Sequence, residues 1–386
     1  MSDPEPKRTH LVLVWLVVLM GIVVVLTGGA TAYFALRRSL SSGSTEQMAF
    51  VAGTWGEQLN LYLADSHGES RESLSQSRGD KLFPAWSPDG NKLAYCRTSL
   101  FGNAGGGGPS GAPNSAGAYL LDMSSDSDQE RPRSEALYTT EDGLAYYPAW
   151  SPDGKRIALL SISMTDQAPA TTITQTKLVL VDVATREAEE HPLSLSVTGK
   201  GLTWSADGSL LALVGEEPDT TGGVYVYNLG SATLTRIAAT ASDVAWSPNE
   251  MLLACANLNG KNGLVLLNAA GERVRTLESD AQVTGLTWSP DGTQLVYGRL
   301  SGNSYDLALC NVETGETEPV ATSLEGTPMY LSWSPSGAYV AYTVIASNSD
   351  EVTAWIEVLD MRTLKSVAFL SEEAIECMAI WQPSNP

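Results

Sequence analysis

Six near-copies of one short phrase limit what this chain can fold into: WSPDG at Trp86, WSPDG at Trp150, WSADG at Trp204, WSPNE at Trp246, WSPDG at Trp288 and WSPSG at Trp333. Proline fixes φ at the second position of a type I turn, Asp or Asn suits the third, and Gly accepts the left-handed conformation that follows. Each phrase is therefore expected to close a hairpin. Glu250 stands where the other copies have Gly, so its turn is expected to be distorted.

After each turn comes an apolar triplet, usually with a small centre: Leu93-Ala94-Tyr95, Ile157-Ala158-Leu159, Leu211-Ala212-Leu213, Leu253-Ala254-Cys255, Leu295-Val296-Tyr297 and Val340-Ala341-Tyr342. Continuous apolar runs mark strands covered on both faces. The small centre predicts a neighbouring sheet packed close. A further strand then ends in Asp122, Asp182, Asn228, Asn268, Asn311 or Asp360, whose side chains can cap the next turn. Each unit is four short antiparallel strands, and such units recurring every forty to fifty residues or so specify a β-propeller.

The chain ends complete the count. Met48-Ala49-Phe50 repeats the triplet and Asp65 closes the strand from Asn60, with no Trp-Ser-Pro strand before them. Ile375 to Trp381, followed by Gln382-Pro383-Ser384, is such a strand with nothing after it. Joined, the fragments make one blade and leave no open edge. The expected fold is all-β: six full units plus the shared one, a seven-bladed propeller over residues 48–386 closed by its N- and C-terminal strands.

The Trp-Ser-Pro-Asp-Gly stretches with their Leu-Ala-Tyr-type strands resemble the TolB-type propeller repeats, a WD-like group of bacterial β-propellers. The resemblance spans about Met48 to Pro386. It implies the fold, and for function either a periplasmic protein-interaction module or the propeller half of a prolyl-oligopeptidase-like peptidase. The chain departs from the periplasmic translocation protein in its apolar N-terminal segment, and it shows no α/β domain before the propeller.

That segment, LVLVWLVVLMGIVVVL from Leu11 to Leu26, carries no charge and stays largely apolar to Leu36 before Arg37 and Arg38. Its length suits a spanning helix over residues 11–36, after a ten-residue head (1–10) and before a linker (37–47). A cleaved signal peptide is the competing reading, because Ala30-Thr31-Ala32 has the small-x-small form of a cleavage site. Lys7, Arg8 and His10 nearly balance the two arginines, so the positive-inside rule decides little. A short head with a large trailing body is expected to insert head-in, placing the propeller outside the cytoplasm. The net charge of −21 repels phosphate backbones and excludes nucleic acid as a partner. Cys96, Cys255, Cys310 and Cys377 fall at unrelated positions with no CxxC pair, and are expected to be buried, unpaired small hydrophobes.

No cofactor or metal is expected. Asp89, Asp153, Asp207 and Asp291 sit in equivalent turns spread around the ring and read as turn residues. No G-x-S-x-G elbow or phosphate-binding glycine motif is present. Binding is expected at the channel mouth, where Lys81, Tyr146, Lys200, Asp243, Thr284, Tyr330 and Glu376 enter the inner strands with a mix of charge and rings suited to a polar ligand or a peptide end. Three insertions share that face: Ser99 to Gly117 with Leu100 and Phe101 as a sticky tip, Met164 to Gln175, and Ala346 to Val352. A non-catalytic, membrane-anchored module for a protein or peptide partner is the reading these features support. The alternative is a channel enzyme, a hydrolase or lyase acting on a glycan or peptide.

Overall fold

In the computed structural model Glu46–Pro386 forms one compact unit. The structure describes residues 46–384 apart from 55–57, 69–70, 76, 78, 99–115, 125–131, 141–142, 168–169, 198–201, 218–221, 348–351 and 370–374. The apolar segment 11–36, Lys200, Leu100 and Phe101 lie outside the described residues. Among the described residues no helix is long and apolar enough to cross a membrane.

The turns form as their chemistry requires. In the Trp86 copy the Gly90 N–H donates to the Ser87 carbonyl at 2.9 Å, with Gly90 at φ 69°. The Ser87 hydroxyl donates to Asp89 at 2.5 Å and accepts the Lys92 N–H at 2.9 Å. The same set recurs at Ser151–Asp153, Ser205–Asp207 and Ser289–Asp291, at 2.6–2.7 Å. Those hydroxyl bonds hold the four carboxyls below their usual range. In the WSPNE copy Glu250 instead donates its N–H to the Ser247 hydroxyl at 3.3 Å, so the turn is distorted. At the opposite corner Asp122, Asp182, Asn228, Asn268, Asn311 and Asp360 each accept a backbone N–H two residues on, at 2.9–3.0 Å, except Asn228, which takes Ser231 at 3.0 Å.

Antiparallel hairpins built this way make four-stranded units. The Trp86 unit is Asp80–Trp86, Lys92–Thr98, Ala116–Asp122 and Ser134–Thr140, paired in sequence order. Five sheets of four or five strands repeat the pattern; a sixth, eight-stranded sheet joins two such units through the single parallel bridge Ala354↔Ile375. One of those two is the shared unit. Its strand Ile375–Trp381 pairs with Gln47–Gly53, with Met48 opposite Trp381 and Ala49 opposite Ile380. The Met164–Gln175 stretch is not the loop expected: strands Arg156–Gln167 and Ala170–Asp182 run on through it, because the ladder continues pairing to Gln167↔Ala170.

The small triplet centres explain how units stack. Ala94 lies in one apolar cluster with Trp150, Ala158 with Trp204, Ala212 with Trp246, Ala254 with Trp288, Val296 with Trp333, Ala341 with Trp381, and Ala49 with Trp86. Each blade thus offers a shallow seat for the indole of the next. The indole N–H then reaches the preceding inner strand. Trp150 donates to the Ala85 carbonyl at 2.9 Å, Trp204 to Ala149 and Trp288 to Ala245 at 3.0 Å, Trp381 to Ser332 at 3.1 Å, and Trp86 to Ile380 at 3.2 Å. Trp246 and Trp333 break the series: their buried N–H groups have no acceptor among the described residues. In both cases the preceding strand carries Thr, at Thr203 and Thr287, where the latched junctions carry Ala, Ser or Ile. At the first, the Thr203 hydroxyl accepts the Trp246 backbone N–H at 3.2 Å instead.

All four cysteines are buried and unpaired, and burial pushes the Cys255 and Cys377 thiols up to about 12.

Candidate functional site

The inner strands do not run straight through the ring. Three residues before the tryptophan the backbone turns left-handed: Phe83 at φ 54°, Tyr147 at 56°, Gly285 at 58°, Tyr330 at 52° and Met378 at 57°. The pairing register slips across the same point, between Leu82 and Ala85, Tyr146 and Ala149, Thr284 and Leu286, and Met329 and Ser332. This is a β-bulge, repeated in the Trp86, Trp150, Trp288, Trp333 and Trp381 blades but not in the Trp246 blade, whose register runs unbroken, and it re-aims one side chain per bulged strand. Glycine adopts the conformation freely; Phe, Tyr and Met hold it at a cost of about 1–2 kcal/mol each. The channel edge of the inner strand has no neighbour to pair with, which is why Pro84 and Pro148 are tolerated directly after the bulge.

What the bulges deliver is a shared wall. Phe83, Tyr147, Tyr330 and Met378 line one cavity of about 350 Å³, with Pro84, Pro148, Leu202, Leu331 and others behind them. The Phe83 and Tyr147 rings lie 4.4 Å apart, tilted by 53°. Asp243 occupies the same place three residues before Trp246 and opens its strand, Asp243–Trp246. One of its oxygens accepts the Val244 N–H at 2.9 Å. Burial pushes the Tyr330 phenol up, with Tyr147, Cys377 and the Asp243 charge adding; burial and then Asp243 do the same to Tyr147. Both hydroxyls therefore stay protonated.

Six of the seven residues expected at the mouth are described, Lys200 being the exception, and they separate into different roles. Tyr330 lines the cavity, and the charge of Asp243 helps to push the Tyr330 phenol up. Tyr146 does not face the cavity: it packs edge-on against Tyr147 at 5.3 Å, and burial pushes its phenol up to about 12. Thr284 backs against Gly298, where an added Cβ would meet its hydroxyl at 2.5 Å. Lys81 and Glu376 are not on an open rim, because the seam between the shared blade and its neighbours buries them, at 0% and 1% exposed. Lys81 donates to Asn60 at 3.0 Å and to the Ser77 carbonyl, and burial with Arg97 nearby lowers its ammonium to about 8. Glu376 takes Arg71 at 2.5 Å, while the Arg71 guanidinium sits over Phe50 at 5.6 Å and Phe369 at 5.8 Å. Phe83, Tyr147 and Met378 escaped sequence reasoning. Their fixed offset from Trp, with Pro following two of them inside a strand, was the available signal.

A model of the TolB β-propeller domain matches residues 111–358. The chain belongs to this family. Among solved structures, this TolB-type propeller resembles TolB from Acinetobacter baumannii at 20% identity, over 91% of this chain and 70% of that one, with a TM-score of 0.52. It resembles oligogalacturonate lyase from Vibrio parahaemolyticus at 14% identity, over 84% and 85% of the two chains, TM-score 0.55. A puromycin-hydrolyzing peptidase from Mycobacterium tuberculosis matches at 14% identity and TM-score 0.59, over 86% of this chain but only 53% of its own length. At these identities the likeness is one of fold.

Proposed function

We propose that this TolB-type propeller is a membrane-anchored recognition module without covalent chemistry: a closed ring of seven blades whose channel takes an extended segment of a partner protein. One observation carries the reading. Four large side chains are held in a backbone conformation that costs each of them energy, and together they wall one cavity. Strain of this kind persists where function uses it. A cavity of about 350 Å³ with ring faces and phenol donors suits a few side chains of a polypeptide. The segment 11–36 supplies the anchor and holds the propeller outside the cytoplasm.

A photo-crosslinking residue in place of Phe83, in intact cells, is expected to trap a discrete polypeptide; the same residue in place of Val274, on an outer strand and 54% exposed, is expected to trap none. Equal trapping at both positions, or none at Phe83 in folded protein, defeats the reading. Protease added outside intact cells should digest the propeller; full protection would reverse the topology.

A further inference from the structure

A second cavity, of about 330 Å³, lies along the inner strands of the Trp246, Trp288 and Trp333 blades, at the end where their Ser-Pro turns begin. All its lining residues fall within the run 222–347, which the structure describes without a break. Thr287 and Ser332 line both cavities, so the second is the next stop for a segment already in the channel. Its wall also holds both indoles whose buried N–H groups lack an acceptor among the described residues, Trp246 and Trp333, at 4% and 9% exposed. In the five latched junctions the indole N–H meets the carbonyl of the residue just before the preceding tryptophan. For Trp333 that carbonyl belongs to Thr287, which lines the cavity, and the indole does not reach it. A donor and an acceptor that the repeat joins elsewhere are here held apart beside a cavity. None of the described residues lining it is charged. A charged group entering would lose its hydration without meeting an opposite charge, and a purely apolar group would leave the indole donor unpaired. A neutral group that both accepts and donates satisfies the two sides at once, and a carboxamide is such a group.

We propose that this second cavity is a subsite for a glutamine or asparagine side chain of the partner segment. Its carboxamide oxygen accepts from the Trp333 indole, its NH2 donates to the Thr287 carbonyl, and its stem lies against Pro248 and Pro290. The proposal rests on the peptide-recognition reading above and names what the turn end of the same channel selects.

The test uses the full-length chain and short Gly-Ser peptides that differ only at one central residue: Gln, Asn, norleucine or Glu. Isothermal titration is expected to find the better carboxamide about tenfold tighter than norleucine, because norleucine leaves a buried donor unpaired, and Glu the weakest of the four. Trp333→Phe removes the donor and should bring the carboxamide peptides down to the norleucine level. Ala245→Leu narrows the cavity from another lining position and should cut carboxamide binding severalfold. It supplies a second arm should the Phe variant not fold. Equal affinity for norleucine and both carboxamides, or no binding by any of the four peptides, overturns the subsite. So does a carboxamide preference undiminished in both variants. Trapping at Phe83 then separates the two readings: if it persists, peptide recognition stands without this subsite; if it is absent, both fall.

Discussion

The channel wall has two unlike halves. Four consecutive blades, those of Trp333, Trp381, Trp86 and Trp150, place Tyr330, Met378, Phe83 and Tyr147 at the bulge. Of the other blades, that of Trp288 places Gly285 there, while that of Trp246 carries Asp243 on a strand whose register runs on without a slip; Gly201 of the Trp204 blade lies outside the described residues. The first half is ring-rich, and indole-to-carbonyl bonds latch it at Trp381, Trp86 and Trp150. The second is sparse, and the Trp246–Trp288 pair of blades has a latch between its members but none to the blade on either side. The ring-rich half is thus latched from blade to blade, while the pair that carries Asp243 is fastened less tightly.

The harshest way to break this contrast is to cut the ring in its ring-rich half. Deleting residues 375–386 removes Met378, the acceptor for Trp86 and the indole that latches to Ser332. It also strips strand Gln47–Gly53 of its inner-strand partner, leaving it paired only with Asn60–Asp65. The whole margin of a domain, roughly 5–15 kcal/mol, is expected to go, read as loss of a cooperative thermal transition. An unchanged transition would mean that the aromatic half does not depend on closure.

The buried Lys81 in the closing seam gives the next largest effect. Its ammonium titrates at about 8 in the native state against 10.5 in the unfolded chain. Below pH 8 both states carry the proton; between pH 8 and 10.5 the unfolded chain binds more, so native stability rises with pH across that window. The rise amounts to about 3 kcal/mol at full extent. Denaturant unfolding of wild type and Lys81→Met as a function of pH should show wild type gaining on the variant through this window only. Parallel curves would show that the lysine is not desolvated.

Gly285→Tyr asks whether the sparse half can be made like the other. The backbone there already matches Phe83, Tyr147 and Tyr330, so the variant should fold, at a cost of about 1–2 kcal/mol for a left-handed side chain. A far larger loss would mean that the bulges are not equivalent. The smallest effect expected is from Thr203→Ala and Thr287→Ala, which give the unlatched junctions the residue found at three of the five latched ones. If threonine is what holds the indole off, each should add about 1 kcal/mol by satisfying a buried donor, with slower amide exchange in the Trp246 and Trp333 strands. Unchanged stability would place the cause elsewhere in the junction.

Features set by a few neighbouring residues were legible without the fold. Ser-Pro-Asp-Gly makes its own turn, Asp and Asn cap within two or three residues, and the apolar triplet announces a strand covered on both sides. The complementary end fragments then required a shared blade, because an open sheet edge is costly. What faces the channel was not legible, since in five blades the inner strand's alternation is interrupted by a one-residue bulge. That single step turns Tyr147 inward in place of Tyr146, and sends Lys81 and Glu376 into the seam. Local hydrogen bonding is written in short stretches of sequence; the direction of a side chain beyond a bulge is decided by the sheets packed around it.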